Sequence, residues 1–248
     1  MKKIGFTLAE ILITLGVVGI IASLTMPALQ TSVQKQSIGP ALAKAINTLE
    51  NANKMLLTQQ NARNLTEVCV DIKNGEDVLE ANSNYFNCLA FHNVIRATRE
   101  NPFTNDNLRD FNLNDPGANN AANSLPKTDT GTKYTSDDGI TYYTWNDSWS
   151  NVNAPTPYHN VSYTVYVDVN GPKQPNAIGR DLFPLTINAK GSVLAYGSRA
   201  WAHFTGQETW EEYCNATAVR TKESGNGDVG DFCAGSIVDN GYRVIYPY

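Results

Sequence analysis

The chain has 248 residues, a formal net charge of −5, 42% hydrophobic residues and four cysteines. That length suits one ordinary domain with appendages, and the apolar share is enough for a packed core. The acidic balance offers no broad basic surface of the kind that grips phosphate backbones, so a nucleic-acid partner is not expected.

The first predicted element is apolar. Met1-Lys2-Lys3-Ile4-Gly5 precedes a run from Phe6 to Leu29 in which Glu10 is the only ionisable side chain. As a helix rising 1.5 Å per residue, residues 6–29 reach about 36 Å, against a hydrocarbon core of about 30 Å. Lys2 and Lys3 favour the cytoplasmic side and send the following bulk across the membrane. A secretory signal peptide shares the basic start, but its apolar region is shorter than this one. A plain anchor has no use for Glu10, since a carboxylate in an apolar helix costs about 3 kcal/mol on insertion scales. A buried core helix fits neither the length nor the leading lysines. Pro27 removes one backbone donor from the run and leaves the Ser23 carbonyl without a helical partner.

This combination resembles the N-terminal signal of type IV pilins and type II secretion pseudopilins. The matching residues are Lys2-Lys3, Gly5, Phe6-Thr7-Leu8-Ala9-Glu10 and the apolar run. The resemblance implies a leader over 1–5, cut by a prepilin peptidase between Gly5 and Phe6, with N-methylation of Phe6. It also implies a transmembrane and assembly helix over 6–29. There Glu10 pairs with the amino terminus of a neighbouring subunit, and Pro27 marks a point of bending. The expected partners are other pilin-like subunits in a filament, the peptidase and an inner-membrane assembly platform. The expected location is the cytoplasmic membrane, crossed once, with the head outside the cytoplasm and periplasmic or extracellular once assembled. A different class remains open: a membrane-anchored adhesin or a DNA-uptake module of minor-pilin type. No nucleophile–base motif, phosphate loop or metal triad appears, so an enzyme is not expected.

Residues 30–248 read as a globular head. An amphipathic helix is predicted over 31–61, interrupted near Gly39-Pro40, with Ile38, Leu42, Ala45, Ile46, Leu49, Ala52 and Leu56 on its apolar stripe. Leu65–Glu100 reads as partly helical, and 101–132 as a long loop rich in Asn, Asp, Pro and Gly. Asp137-Asp138-Gly139 predicts a hairpin turn between Lys133–Thr135 and Ile140–Trp145. Asn146–His159 reads as loop. Val161–Val169 alternates as a strand, and Leu182–Ile187 pairs with Val193–Tyr196. Asn240-Gly241 between Ser236–Val238 and Tyr242–Tyr246 predicts a last hairpin. The class is therefore α+β, a long N-terminal helix packed on an antiparallel sheet. The pilin-like fold that the resemblance implies has the same order.

Cys69, Cys88, Cys214 and Cys233 have no zinc-like spacing, and two disulfides fit a head outside the cytoplasm. The sequence neighbours pair as Cys69–Cys88 and Cys214–Cys233, one of three possible connectivities. Asp168, Asn170 and Asp181 surround a turn that begins like a calcium loop but lacks the distal Glu of an EF-hand. Calcium is the candidate cation and no other cofactor is expected; the competing reading is a turn held by Asn and Asp side chains. Trp145, Trp149, Trp201 and Trp210 could form a binding face or serve as packing residues. Asn64, Asn146, Asn160 and Asn215 stand in glycosylation sequons that an Asn- and Thr-rich chain produces by chance.

Overall fold

The computed structural model describes residues 7–69, 72–73, 76–77, 88–89, 94–100, 131–145, 150–151, 161–171, 173, 176–217 and 230–247. The chain divides into two compact units, Met1–Ser37 and Ile38–Tyr248. One helix, α1 (Leu8–Gln59), runs through both.

In the first unit the apolar side chains of α1 are exposed, among them Leu8, Leu12, Ile13, Val18, Ile20 and Leu24. The few hydroxyls turn back on their own helix. Thr14 donates to the Ile11 carbonyl, Ser23 to Ile20 and Thr25 to Ile21. These three hydroxyls are thus satisfied within the helix, and the side chains around them are mostly exposed and apolar.

The second unit is built on an antiparallel sheet. Its strands are β3 (Ala97–Glu100), β4 (Gly131–Ser136), β5 (Thr141–Trp145), β7 (Val161–Asp168), β8 (Leu182–Asn188) and β9 (Val193–Ala195), in that spatial order. The two-residue β6 (Ser150–Asn151) also pairs with β7. A separate two-stranded ribbon joins β1 (Ile72–Lys73) to β2 (Glu76–Asp77). The shorter helices are α2 (Thr66–Cys69), α3 (Arg199–Thr205) and α4 (Cys233–Asp239), with a single 3₁₀ turn at Trp210–Glu212. The β7–β8 ladder sets Val165 opposite Leu185 and Val167 opposite Phe183.

The core lies between that sheet and the second half of α1. Ile38, Leu42, Ala45, Ile46, Leu49, Ala52 and Leu56 are all buried, as the helical spacing predicts, in one cluster with Tyr142, Val165, Phe183 and Ile187. Tyr163, Val165, Val167 and Val169 join the same cluster, so the alternation of β7 reports its inward face. β8 is buried along its whole length, because it is a central strand covered on both sides.

Three expectations are corrected. The break near Gly39-Pro40 is absent: α1 is continuous there and through Pro27. A mid-helix proline costs about 3 kcal/mol, and the buried stripe on either side of Pro40 outweighs it. Gly39 lies directly against the Tyr242 carbonyl, where a side chain would collide. The predicted C-terminal hairpin is also absent. Ser236–Val238 belongs to α4, and the chain then turns at Asn240-Gly241 into irregular structure. A short apolar run has no period long enough to separate helix from strand. Thirdly, Ser150–Asn151, expected as loop, pairs as β6. Of the loop expected over 101–132, residues 101–130 lie outside the described residues, and residues 131–132 belong instead to β4.

Candidate functional site

The first candidate is the apolar half of α1. Leu8–Met26 is long and apolar enough to cross a membrane, and none of it is buried within the chain. At 1.5 Å per residue it spans about 28 Å, close to a hydrocarbon core. Gly5 and Phe6 lie outside the described residues. So does the side chain of Pro27, whose backbone is helical.

Glu10 sits in the first turn of α1 and is engaged by Thr7, the residue just before the helix. Thr7 N–H donates to Glu10 Oε2 at 2.8 Å, and the Thr7 hydroxyl donates to the same oxygen at 2.7 Å. In return, Glu10 N–H donates to Thr7 Oγ1 at 3.2 Å. This is a reciprocal capping box. It settles helix-start donors that have no intrahelical partner. Thr7 was legible in principle, because Thr-x-x-Glu ahead of an apolar run is the signature of such a box.

The second candidate is the turn between β7 and β8. It brings the three predicted ligands together. Asp168 and Asp181 are both fully buried. Asp181 accepts from Asn176 N–H at 2.9 Å, Ala177 N–H at 2.7 Å and Asn170 Nδ2 at 3.0 Å. Asp168 accepts from Asn170 N–H at 3.2 Å. Burial, and then the neighbouring Asp181 charge, push the Asp168 carboxyl up to about 9. Burial raises Asp181 to about 6, against the pull of its N–H donors.

Among the described residues of the turn, the donor set does not fit calcium, which takes six to eight oxygens. Both Asp181 oxygens are committed to N–H groups, and Asn170 presents its amide nitrogen to that carboxylate. Among the described residues of the turn, Asn170 Oδ1 is a buried side-chain oxygen without a hydrogen bond. Among the described residues, no group of three or more His, Cys, Asp or Glu is placed to hold a metal. The arrangement is a hydrogen-bonded turn that ties two strands together.

Trp201 and Trp210 are packing residues. Both are buried; Trp201 Nε1 donates to Thr186 Oγ1 at 3.0 Å, and Trp210 Nε1 to Asp239 at 2.9 Å. Trp201, Tyr196, Tyr213 and Phe232 form an aromatic cluster, with Tyr213 and Phe232 centred 4.4 Å apart. Burial, and then the Asp231 charge, lift the Tyr196 hydroxyl to about 12. Trp149 and the side chain of Trp145 lie outside the described residues.

The Cys214–Cys233 disulfide is formed, with Cα atoms 5.1 Å apart and both residues buried. It pins the start of α4 beside the 3₁₀ turn. Cys88 is also disulfide-bonded; the side chain of Cys69, its expected partner, lies outside the described residues. Asn215 is occupied locally, its Oδ1 accepting from Thr217 N–H and hydroxyl and its Nδ2 donating to the Glu211 carbonyl.

The described chain is thus an apolar N-terminal helix followed by an antiparallel sheet, with a disulfide near its C-terminal helix. No family model matches it, and neither does any curated protein or solved structure.

Proposed function

We propose that this chain is a structural subunit of a type IV pilin-like filament, a pilus or a secretion pseudopilus. It is cut after Gly5 and assembles through its apolar helix, with the head displayed outside the cytoplasm. The observation that carries the reading is the exposed apolar face of residues 8–26, with a single carboxylate, Glu10, in its first turn. A lone carboxylate is costly in hydrocarbon and gains from a cationic partner. Removal of residues 1–5 creates one, the new ammonium on Phe6. Each subunit then supplies both members of a pair, which favours head-to-neighbour association of many copies over a single anchored monomer.

Mass spectrometry of the mature N-terminus tests this directly. A chain beginning at methylated Phe6 is expected. An intact Met1, or a terminus elsewhere, removes the proposal. Glu10→Ala is expected to leave cleavage and membrane insertion intact while stopping assembly.

A further inference from the structure

The oxygens of Glu10 are used unequally. Both bonds from Thr7 fall on Oε2, at 2.8 Å from the backbone and 2.7 Å from the hydroxyl. Among the described residues no hydrogen bond uses Oε1. The side chain is exposed and lies in a segment without another ionisable group.

We propose that Thr7 is a positioning residue for subunit contact: it fixes Glu10 before a neighbour arrives and leaves Oε1 open for a cationic group of a second copy of this chain. This inference rests on the filament reading above. Two physical effects favour it. First, in hydrocarbon an unsatisfied polar group is expensive, and the box satisfies the Thr7 N–H, the Thr7 hydroxyl and the Glu10 N–H inside one chain. The subunit can therefore wait in the membrane with most of this cost already met. Second, a glutamate loses rotamer freedom when it docks, and a side chain held beforehand loses less on association.

The chemistry demanded of residue 7 is narrow. Its hydroxyl donates to Oε2 while accepting from Glu10 N–H. Serine can do both. Valine has nearly the same shape as threonine and can do neither. Glycine is tolerated at a helix cap with little loss, yet it has no hydroxyl to hold the carboxylate. The glycine variant therefore separates positioning from capping.

The test uses full-length chain in its membrane. The fraction recovered in high-mass assemblies after chemical cross-linking is compared for wild type, Glu10→Ala, Thr7→Val, Thr7→Gly and Thr7→Ser. Removal of residues 1–5 is checked by mass in each. Thr7→Val and Thr7→Gly are expected to fall about fivefold or more, the factor that loss of the hydroxyl–carboxylate hydrogen bond brings. Thr7→Ser is expected to match wild type. If Thr7→Val and Thr7→Gly assemble normally while Glu10→Ala fails, the positioning role is wrong and the filament reading stands. If Thr7→Val fails while Thr7→Gly assembles, Thr7 is a helix cap only. Normal assembly of Glu10→Ala removes the filament reading itself. Should a Thr7 variant escape processing, amide exchange of the uncut chain in detergent decides: Glu10 N–H is expected to exchange about fivefold faster in Thr7→Val than in wild type and Thr7→Ser. Equal exchange overturns the proposal.

Discussion

Asn53 on the long helix reaches the turn between β8 and β9: its Nδ2 donates to the Gly191 carbonyl at 2.8 Å in a fully buried setting. Gly191 is left-handed, with φ +86°, and a Cβ there would stand 2.9 Å from the Cβ of Asn53. Helix and sheet are thus joined by a buried polar contact that also fixes how closely they approach. Asn53→Leu strips the Gly191 carbonyl of that donor and is expected to cost about 1–3 kcal/mol. Gly191→Ala meets both backbone strain and a collision and is expected to cost a similar amount, about 1–3 kcal/mol. Urea unfolding followed by the fluorescence of Trp201 and Trp210 measures both. A loss below about 0.5 kcal/mol for either variant, the range of neutral surface changes, would contradict the account.

The buried pair Asp168 and Asp181 makes stability depend on pH with an unusual sign. In the unfolded chain both carboxyls ionise near pH 4. In the fold Asp181 is raised to about 6 and Asp168 to about 9, both by burial first. The folded state therefore keeps protons that the unfolded state releases. Their stabilisation is full below about pH 4 and is lost as pH rises through each folded value. Asp168→Asn retains an acceptor for Asn170 N–H and cannot ionise. Its urea midpoint is expected to fall less than that of the wild type between about pH 5 and about pH 9. Parallel pH profiles for the two proteins would show that Asp168 ionises freely.

Calcium should be indifferent to this turn. Calorimetric titration of the chain with millimolar calcium is expected to give only dilution heat. Asp181→Asn is expected to destabilise by about 1–3 kcal/mol with or without calcium, because an amide cannot replace both oxygens that receive N–H groups. Saturable heat, or stabilisation by calcium that disappears in Asp181→Asn, would restore the cation site.

The Cys214–Cys233 bridge spans 19 positions. Closing a loop of that size in the unfolded chain is worth about 3 kcal/mol. The double variant Cys214→Ala, Cys233→Ala is expected to lose about that much in urea unfolding. It should also expose the aromatic ring cluster, seen as a red shift of tryptophan emission in the folded baseline. An unchanged midpoint would mean that the packing of Phe232 and Trp201 alone holds α4 in place.

Regular elements with a clear period were legible in the sequence. The stripe from Ile38 to Leu56 and the alternation from Tyr163 to Val169 both mark buried faces. The Asp137-Asp138-Gly139 turn falls between β4 and β5 as predicted. What failed was decided by contacts distant in sequence. Pro40 reads locally as an interruption, yet burial of Ile38 and Leu42 on the sheet carries the helix through it. Ile237 and Val238 read as strand, but the disulfide at Cys233 and the cover over the sheet make them helix. At the β7–β8 turn, residue types alone brought Asp168, Asn170 and Asp181 together correctly. They did not reveal that the oxygens face N–H groups, because hydrogen-bond direction belongs to the folded backbone. The Thr7–Glu10 box was written in the spacing and needed only to be read as a cap.

The contact of Gly39 with the Tyr242 carbonyl, and the hydrogen bond of 2.6 Å from buried Tyr246 to the Gly179 carbonyl, bear on biosynthesis. A ribosome makes residue 39 early and residues 242–246 late. The helix surface that meets Tyr242 stays uncovered through the intervening synthesis, and the Gly179 turn waits for its tyrosine. Closure of this unit therefore waits until residues 242–246 have left the ribosome. A nascent chain of this kind exposes apolar surface until that segment arrives, which is the period in which a holding chaperone matters most.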